Sequence, residues 1–352
     1  MRRGYTTIIV CMLALVVNSC IDPLELEIDD RTWKLVVDGM ITNEPGPYTV
    51  RLSRSKRYSS YTDSWNAVET GARVIVSDDK GNEETLTETK PGTYLTSVAG
   101  IQGQIGNTYS LSIRTKDGKQ YTSSPETLLP VPEMDDLYFE VRPVQVLNES
   151  DVERTEYVVD VFVDIQDPAE ARNYYLWQWQ STFRVSTQPW DYSEKVGNVR
   201  VPMPKDCCEI CWVTNTTNTV NIQDDRLLNG ANIKRHLVTS IPVTAQHFGT
   251  KYYLEVKQFS LSEAGYDFWR ILKSQIENGG SIQDTPPATI IGNITNLNNP
   301  DERALGFFGA SAVSKSAIFI RREELGVRIA EYVFPDDCRV LSKSTTEVPA
   351  FW

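Results

Sequence analysis

The chain has 352 residues, and 35 Lys and Arg against 47 Asp and Glu give it a formal net charge of −12 at pH 7. Nucleic-acid binding requires clustered basic side chains that displace counterions from phosphates, and the sequence has no such stripe, so nucleic acid is excluded as a partner. The length exceeds one typical domain and the apolar content, 40%, is enough for a proper core, so two domains are expected.

The first nineteen residues have the layout of a secretory signal. A short basic start precedes an apolar run at residues 7–17, which is shorter than the roughly 20 residues that span a bilayer as a helix. Val17 and the small Ser19 stand before Cys20 as in the lipobox of bacterial lipoproteins. We therefore expect a signal peptide at residues 1–19 and a lipid such as palmitate on Cys20. The alternative is an ordinary secretory signal with a chance cysteine.

The segment after Cys20 is acidic. Five of the ten residues 21–30 are Asp or Glu and none is basic, so this stretch repels itself and stays extended. We interpret residues 20–32 as a lipidated acidic tether. Acidic residues at this place also resemble the export signal that sends Bacteroidetes lipoproteins to the outer face of the outer membrane. The alternative is a solvated tether that contains no export signal.

The next part, residues 33–124, alternates apolar and polar side chains in short runs, for example around Val50 and Leu52. Turn signals such as Asp79-Lys80-Gly81-Asn82 separate the runs. Several strands in about 90 residues are typical of an immunoglobulin-like β-sandwich. The acidic run at residues 78–84 misses the ligand spacing of an EF-hand, and we interpret it as a turn.

Three prolines punctuate residues 125–135, which we interpret as a Pro-rich linker. Residues 136–352 then form the second predicted domain, which is rich in Val, Tyr, Phe and Trp. Its predicted strands lie at residues 157–165, 174–185, 251–259, 290–291, 305–312 and 317–320.

One helix is predicted in this second domain, near residues 261–278. Ser260 and Glu263 have the S-x-x-E spacing of a capping box, and Asn278-Gly279-Gly280 ends the pattern. The apolar side chains that recur at helical spacing are Leu261, Ala264, Phe268, Leu272 and Ile276. Their face must pack on a sheet. The predicted fold class is therefore mainly β, with an N-terminal immunoglobulin-like β-sandwich and a second β-rich domain that carries one packed helix.

Four cysteines remain beside the signal peptide and Cys20, namely Cys207, Cys208, Cys211 and Cys338. A bond between the adjacent Cys207 and Cys208 would need a strained ring. We therefore expect Cys338 to bond to one cysteine of the cluster and the other two to close a small loop. The alternative is a metal site at Cys208-x-x-Cys211, but no second paired motif accompanies it, so no metal site is predicted.

The candidate recognition surface is aromatic. Tyr175, Trp177 and Trp179 alternate onto one face of a predicted strand, and Trp190 follows shortly after it. Flat rings on a rigid strand can stack on a glycan or anchor a peptide at low entropic cost. The alternative is that the same rings fill the interior or lie under the packed helix.

The sequence supplies little support for catalysis. His236 and His247 are the two histidines, and neither stands in a nucleophile motif or in H-E-x-x-H. We expect both to be structural or surface residues, and we predict no catalytic residue and no cofactor. A glycosidase built on two carboxylates stays open, because two acids can come together from anywhere in the chain.

Several short segments together resemble the domain of unknown function 4249 family. They are Val36-Val37-Asp38-Gly39-Met40-Ile41, the cysteine cluster with Trp212, Tyr266-Asp267-Phe268-Trp269, Pro286-Pro287-Ala288, Gly292-Asn293-Ile294, Leu305-Gly306-Phe307-Phe308 and Pro349-Ala350-Phe351-Trp352. Their order carries the resemblance, which covers essentially the whole mature chain. Members of the family are Bacteroidetes lipoproteins, commonly encoded beside TonB-dependent outer-membrane receptors. The family has no established activity, so the resemblance supplies no catalytic residues.

These observations favour a lipoprotein of the outer membrane, anchored through Cys20 and facing the cell exterior. The expected role is that of an accessory or ligand-capturing partner of a TonB-dependent transporter, with a glycan or peptide as ligand. Two alternatives remain, namely a surface adhesion or structural module and a carbohydrate-active or peptide-active enzyme.

Overall fold

The computed structural model describes residues 33–55, 68–148, 150–226, 229–277 and 290–352. The predicted signal peptide, Cys20 and the acidic tether lie outside the described residues, so the predictions made for them stay predictions. Within those ranges, no helix is both long enough and apolar enough to cross a membrane.

Short antiparallel strands dominate the first third of the chain. In chain order they are β1 (Leu35–Thr42), β2 (Thr49–Arg54), β3 (Arg73–Asp78), β4 (Glu83–Thr85), β5 (Thr87–Lys90), β6 (Thr93–Leu95), β7 (Thr108–Arg114), β8 (Gln120–Ser123) and β9 (Glu126–Thr127).

Longer strands and one helix follow. In chain order they are β10 (Met134–Leu147), β11 (Glu153–Gln166), β12 (Tyr174–Ser186), β13 (Ser193–Val196), β14 (Val199–Pro202), β15 (Ile210–Thr216), β16 (Asn221–Asp224), β17 (Asn232–Pro242), β18 (Lys251–Ser260), α1 (Glu263–Glu277), β19 (Ile294–Asn296), β20 (Leu305–Ser311), β21 (Val313–Arg321) and β22 (Ser344–Thr345).

Two sheets enclose the first core. One has the strand order β20-β1-β2-β6-β5, and the other has the order β19-β8-β7-β3-β4 with β9 joined to β7. The alternate residues Leu35, Val37 and Ile41 of β1 are almost fully buried and join Val74 and Leu111 of the other sheet in one core. The period-two pattern read from the sequence thus produces an N-terminal β-sandwich.

Late segments of the chain complete this sandwich. β20 pairs in parallel with β1, from Val36 opposite Leu305 to Thr42 opposite Ser311, and β19 pairs with β8. The domain boundaries expected from the sequence placed β19 and β20 in the second domain, residues 136–352. Both strands are instead hydrogen-bonded into the sheets of the first sandwich. Gly306 permits the close pairing, because its φ is +89° and a Cβ there would collide with the carbonyl group of Val37.

The predicted linker, residues 125–135, is built into both halves of the molecule. β9 pairs with β7, and Leu128 is fully buried in the first core. The carbonyl oxygen of Pro132 accepts a 3.1 Å hydrogen bond from Nε2 of Gln258 in the second half. The segment therefore fixes the two halves against each other.

A second pair of sheets encloses the larger core. A three-stranded sheet of the described chain, β10-β11-β17, packs on a sheet with the order β21-β18-β12-β15-β22, in which β16 also pairs with β12. Val161 and Val163 of β11 and Trp177 and Leu254 of the facing sheet have essentially no exposed surface. The prediction of a mainly β chain with a second β-rich part is confirmed.

The helix α1 begins at Glu263, and its capping residue lies two positions later in the chain than the sequence suggested. Ser262, rather than Ser260, caps it, because its Oγ accepts a 3.0 Å hydrogen bond from the backbone N–H of Gly265. Ser260 belongs to β18, and its hydroxyl donates to the carbonyl oxygen of Leu129. The helix packs on the outer face of the second sandwich, where Tyr266 contacts Tyr174 at 5.0 Å between ring centroids.

Candidate functional site

An open trough of about 330 Å³ lies on the outer face of the sheet that contains β12 and β18. Its polar lining residues are Gln178 and Gln180 of β12, Thr216 and Thr217 at the end of β15, and Glu255 and Lys257 of β18. These side chains occupy the outward phase of strands whose inward phase, for example Trp177 and Val256, is fully buried. The strand period therefore produces a polar surface directly above the apolar core.

Two packed elements bound the trough along β18. At one end Phe259 lies under α1 together with Tyr266 and Trp269. At the other end Phe351 stacks on Tyr253, with 4.1 Å between ring centroids. Glu255 and Lys257 lie between these covered positions and stay open to solvent contact. The trough is thus a gap between the helix and the aromatic residues near position 351.

A carboxylate of the first sandwich reaches the rim of the trough. Glu44, in the loop after β1, forms ion pairs with Lys257 at 2.7 Å and with Lys315 at 3.4 Å. Burial acts to raise the pKa of Glu44, but the hydrogen bonds and charges of the two lysines outweigh it and lower the pKa. Glu44 is therefore ionised at neutral pH and holds the Lys257 ammonium in place.

The glutamines supply unoccupied hydrogen-bonding groups. Within the described ranges, neither Gln178 nor Gln180 has a side-chain hydrogen-bond partner, and in the sheet register they lie opposite Lys257 and Glu255. Each amide can donate and accept at once. Thr217 is fixed nearby, since its hydroxyl donates to the carbonyl oxygen of Trp179 at 3.1 Å. The trough thus offers neutral amides flanked by one cation and one anion.

The predicted aromatic surface is only partly present. Tyr175 is 1% exposed and Trp177 is 0% exposed, because the odd-numbered residues of β12 face the core. Trp177 donates its indole N–H to Gln258 at 3.0 Å and stacks on His236. The hypothesis that Tyr175 and Trp177 stack on a ligand is therefore wrong.

The other two aromatic residues lie in different places. Trp179 is half-buried and lines the trough. Trp190 is 53% exposed, but it precedes the separate hairpin formed by β13 and β14. Trp179 therefore borders the trough, but its ring packs against the larger core, so the predicted stacking surface is not formed on the outer face of the sheet.

That hairpin presents an exposed apolar stripe. β13 and β14 pair only with each other in the described sheets, and Val196 is 60% and Val199 65% exposed. Val201 and Met203 are also exposed. On its other face Lys195 lies directly opposite Arg200. A two-stranded hairpin buries little of its own surface, so these side chains remain available for contact.

The cysteines form two disulfides. Cys211 bonds to Cys338, which confirms that Cys338 reaches back to the cluster. Cys207 and Cys208 bond to each other, so the expectation that a strained ring would disfavour this pairing is wrong. The reason is that Cys211 lies in β15 with its side chain in the core beside Cys338, which leaves only the two adjacent cysteines to pair.

Both histidines are held by structural contacts. Nε2 of His236 is 2.9 Å from Oδ1 of Asn221, and Nδ1 of His247 is 3.2 Å from the carbonyl oxygen of Pro242. Burial, with a smaller effect of the Lys273 charge, lowers the pKa of His236 to about 4. In the part of the chain that the structure describes, no three His, Cys, Asp or Glu side chains gather into one cluster.

Sequence reasoning missed most of the trough. The alternation of Gln178 and Gln180 with buried neighbours was a usable signal, because polar residues in the outward phase mark a solvent-facing strand. The register that sets them opposite Lys257 and Glu255, and the approach of Glu44, depend on distant pairing that no local pattern encodes.

Comparison with known proteins identifies the family. No curated protein matches the chain in sequence. A family model described as a domain of unknown function, DUF4249, matches residues 21–317, and this range includes the first sandwich, most of the second and the trough strands β12, β15 and β18. The chain therefore belongs to the domain-of-unknown-function family DUF4249.

Proposed function

We propose that this protein is an outer-membrane lipoprotein that captures a polar ligand and passes it to a TonB-dependent transporter. The trough carries the proposal, since it is a recessed polar surface on a rigid sheet. Two sequence features support the location, namely the lipobox before Cys20 and the acidic residues 21–30. The TonB-dependent receptors that are commonly encoded beside family members support the partner.

The chemistry of the trough points to a short oligosaccharide or peptide. Its volume of about 330 Å³ lies at the lower end of the range of small-molecule sites, so it accommodates only a few sugar rings or residues. Gln178 and Gln180 can bond the hydroxyl or amide groups of such a ligand.

A binding panel of oligosaccharides and peptides, read by calorimetry, tests ligand capture. Replacing Gln178 and Gln180 together by Ala removes two hydrogen-bonding amides, and we expect affinity to fall about 10- to 100-fold. Gln145→Ala, at an exposed glutamine of β10 far from the trough, is the matched control and should bind normally. Unchanged affinity in the double variant would contradict the proposal, and turnover of a panel member would favour an enzyme.

The β13–β14 hairpin is the surface that we assign to the transporter. Val196 and Val199 lie opposite each other and are 60% and 65% exposed, and exposed apolar side chains that cluster in this way mark surfaces for protein–protein contact.

Copurification from membranes in mild detergent tests the partner. Replacing Val196 and Val199 by Asp places two charges in the apolar stripe, and we expect recovery of the transporter to fall at least tenfold. Val98→Asp, at a valine that is 71% exposed in the first sandwich, is the matched control. Recovery of this protein alone from wild-type cells would overturn the partnership, whereas it would leave ligand binding untouched.

A further inference from the structure

Two loops converge at the end of the second sandwich that adjoins α1. One joins β11 to β12 and begins at Asp167, and the other joins β16 to β17 and begins at Asp225. The backbone N–H of Gly230, in the second loop, donates to Oδ2 of Asp167 at 2.9 Å. A Cβ at Gly230 would lie only 2.7 Å from that of Ala169, so the loops are in close contact.

The two carboxylates lie within this contact and are almost fully buried. Asp167 is 1% exposed and Asp225 is 0% exposed. Asp167 accepts a 2.6 Å hydrogen bond from the hydroxyl of Tyr175, and Asp225 accepts one of 2.7 Å from the backbone N–H of Asn173. Tyr175 and Asn173 stand two residues apart at the start of β12, so the carboxylates approach the same short piece of strand.

Their charges lack compensation. Among the described residues, neither Asp167 nor Asp225 forms an ion pair with a basic side chain, and the neighbouring Arg226 pairs with Asp224 instead. Oδ1 of Asp225 is buried and has no hydrogen-bond partner among the residues that the structure describes. Burying a carboxylate that has an oxygen without a hydrogen-bond partner lowers the stability of the fold unless its charge is neutralised. Natural proteins neutralise such groups by ion pairing or by binding a metal ion.

We propose that Asp167 and Asp225 bind a calcium ion between these two loops. Both side-chain ligands are hard oxygen donors, which calcium prefers over the nitrogen and sulfur ligands that suit zinc. Two carboxylates supply at most four of the six to eight oxygens that calcium takes, so the proposed site also requires further oxygen donors such as water. With so few charged ligands, the site has the weak affinity of extracellular calcium modules, about 0.1–1 mM.

Thermal unfolding of the full mature chain, dialysed against EDTA and then titrated with calcium chloride to about 10 mM, tests the site. We expect the wild-type Tm to rise by about 3 °C or more with calcium and much less with magnesium. Asp225→Asn should abolish this rise. In EDTA its Tm should equal or exceed that of the wild type, because a buried uncompensated charge has been removed.

Asp160→Asn is the matched control. Asp160 is also buried, at 6% exposure, but it is paired with Arg142 and bonded to Ser240. This variant should lower the Tm in EDTA and keep the full response to calcium. A wild type without a calcium response, or an Asp225→Asn variant that keeps one, would overturn the proposal.

Terbium luminescence provides a second readout that needs no variant. Terbium occupies calcium sites and is sensitised by nearby aromatic rings, here Tyr175 and Trp177. We expect sensitised emission from the wild type that calcium competes away. Absence of that emission, or emission that calcium does not displace, would count against the site.

Discussion

Glu44 of the first sandwich pairs with Lys257 of the second across 2.7 Å, and this contact places a carboxylate of one half at the rim of the trough in the other. The carboxylate also pairs with Lys315 on the neighbouring strand β21. A single side chain therefore links the packing of the two sandwiches to the electrostatics of the candidate site.

Glu44→Gln should lower the free energy of unfolding at neutral pH by about 0.5–1 kcal/mol, the scale of a partly exposed ion pair. The folded-state pKa of Glu44 is lowered, so its contribution is present above the ordinary value of 4.5 and is lost as the pH falls through the lowered pKa. Urea denaturation at several pH values measures this. Asp38→Asn, which breaks the exposed pair with Arg51, is the control and should change little.

Gln258→Ala should destabilise the protein by about 2–4 kcal/mol. The fully buried amide accepts from the indole of Trp177 and donates to the carbonyl oxygen of the half-buried Pro132, so its loss leaves a buried indole N–H and a half-buried carbonyl group unpaired and opens a cavity. Denaturant unfolding followed by Trp fluorescence measures the change. Gln180→Ala, on the outer face of the same sheet, should have almost no effect on stability, and an equal loss in both variants would contradict the argument.

Replacing both Cys211 and Cys338 by Ala should lower the free energy of unfolding by about 3–5 kcal/mol, because their bond closes a loop with a sequence separation of 127. Replacing Cys207 and Cys208 by Ala should cost less than half as much, since adjacent residues close almost no loop. Chemical denaturation of the two double variants compares them. Equal losses would show that loop closure is not the dominant effect.

His236→Phe should flatten the pH dependence of stability between pH 6.5 and pH 4. Burial lowers the pKa of His236 from 6.5 to about 4, so the unfolded state binds more protons in that window and stability is lost as the pH falls. Phenylalanine keeps a ring against Trp177 but does not titrate. Denaturation midpoints at half-unit pH steps measure the slope, and an unchanged slope in the variant would contradict the assignment of that loss to His236.

Local patterns in the sequence predicted the individual elements better than their assembly. The alternation around Val50 and Leu52 reflects burial within one strand, which neighbouring residues determine. In the predicted helix Phe268 is buried, whereas Ala264 and Ile276 of the predicted apolar face are exposed. The parallel pairing of β1 with β20 depends on residues near positions 36 and 305, and no local signal records it.

The candidate site shows the same difference between local patterns, which the sequence reveals, and long-range assembly, which it does not. The polar phase of β12 could be read from Gln178 and Gln180, whereas the choice of aromatic residues failed because the sequence does not say which face of a strand lies inward. Trp177 and Trp179 share the inward face, yet Trp177 is fully buried under the second sheet while Trp179 is only half-buried. Only the extent of the covering sheet decides between them.

The most direct test of the proposed role is the location of the Cys20→Ala variant, since capture at the outer membrane requires the lipid anchor. Membrane fractions from wild-type and variant cells, together with protease treatment of intact cells, measure anchoring and exposure. We predict that the wild type is membrane-bound and cleaved from outside, and that the variant leaves the membrane fraction. A variant that stays in the membrane fraction would contradict the account.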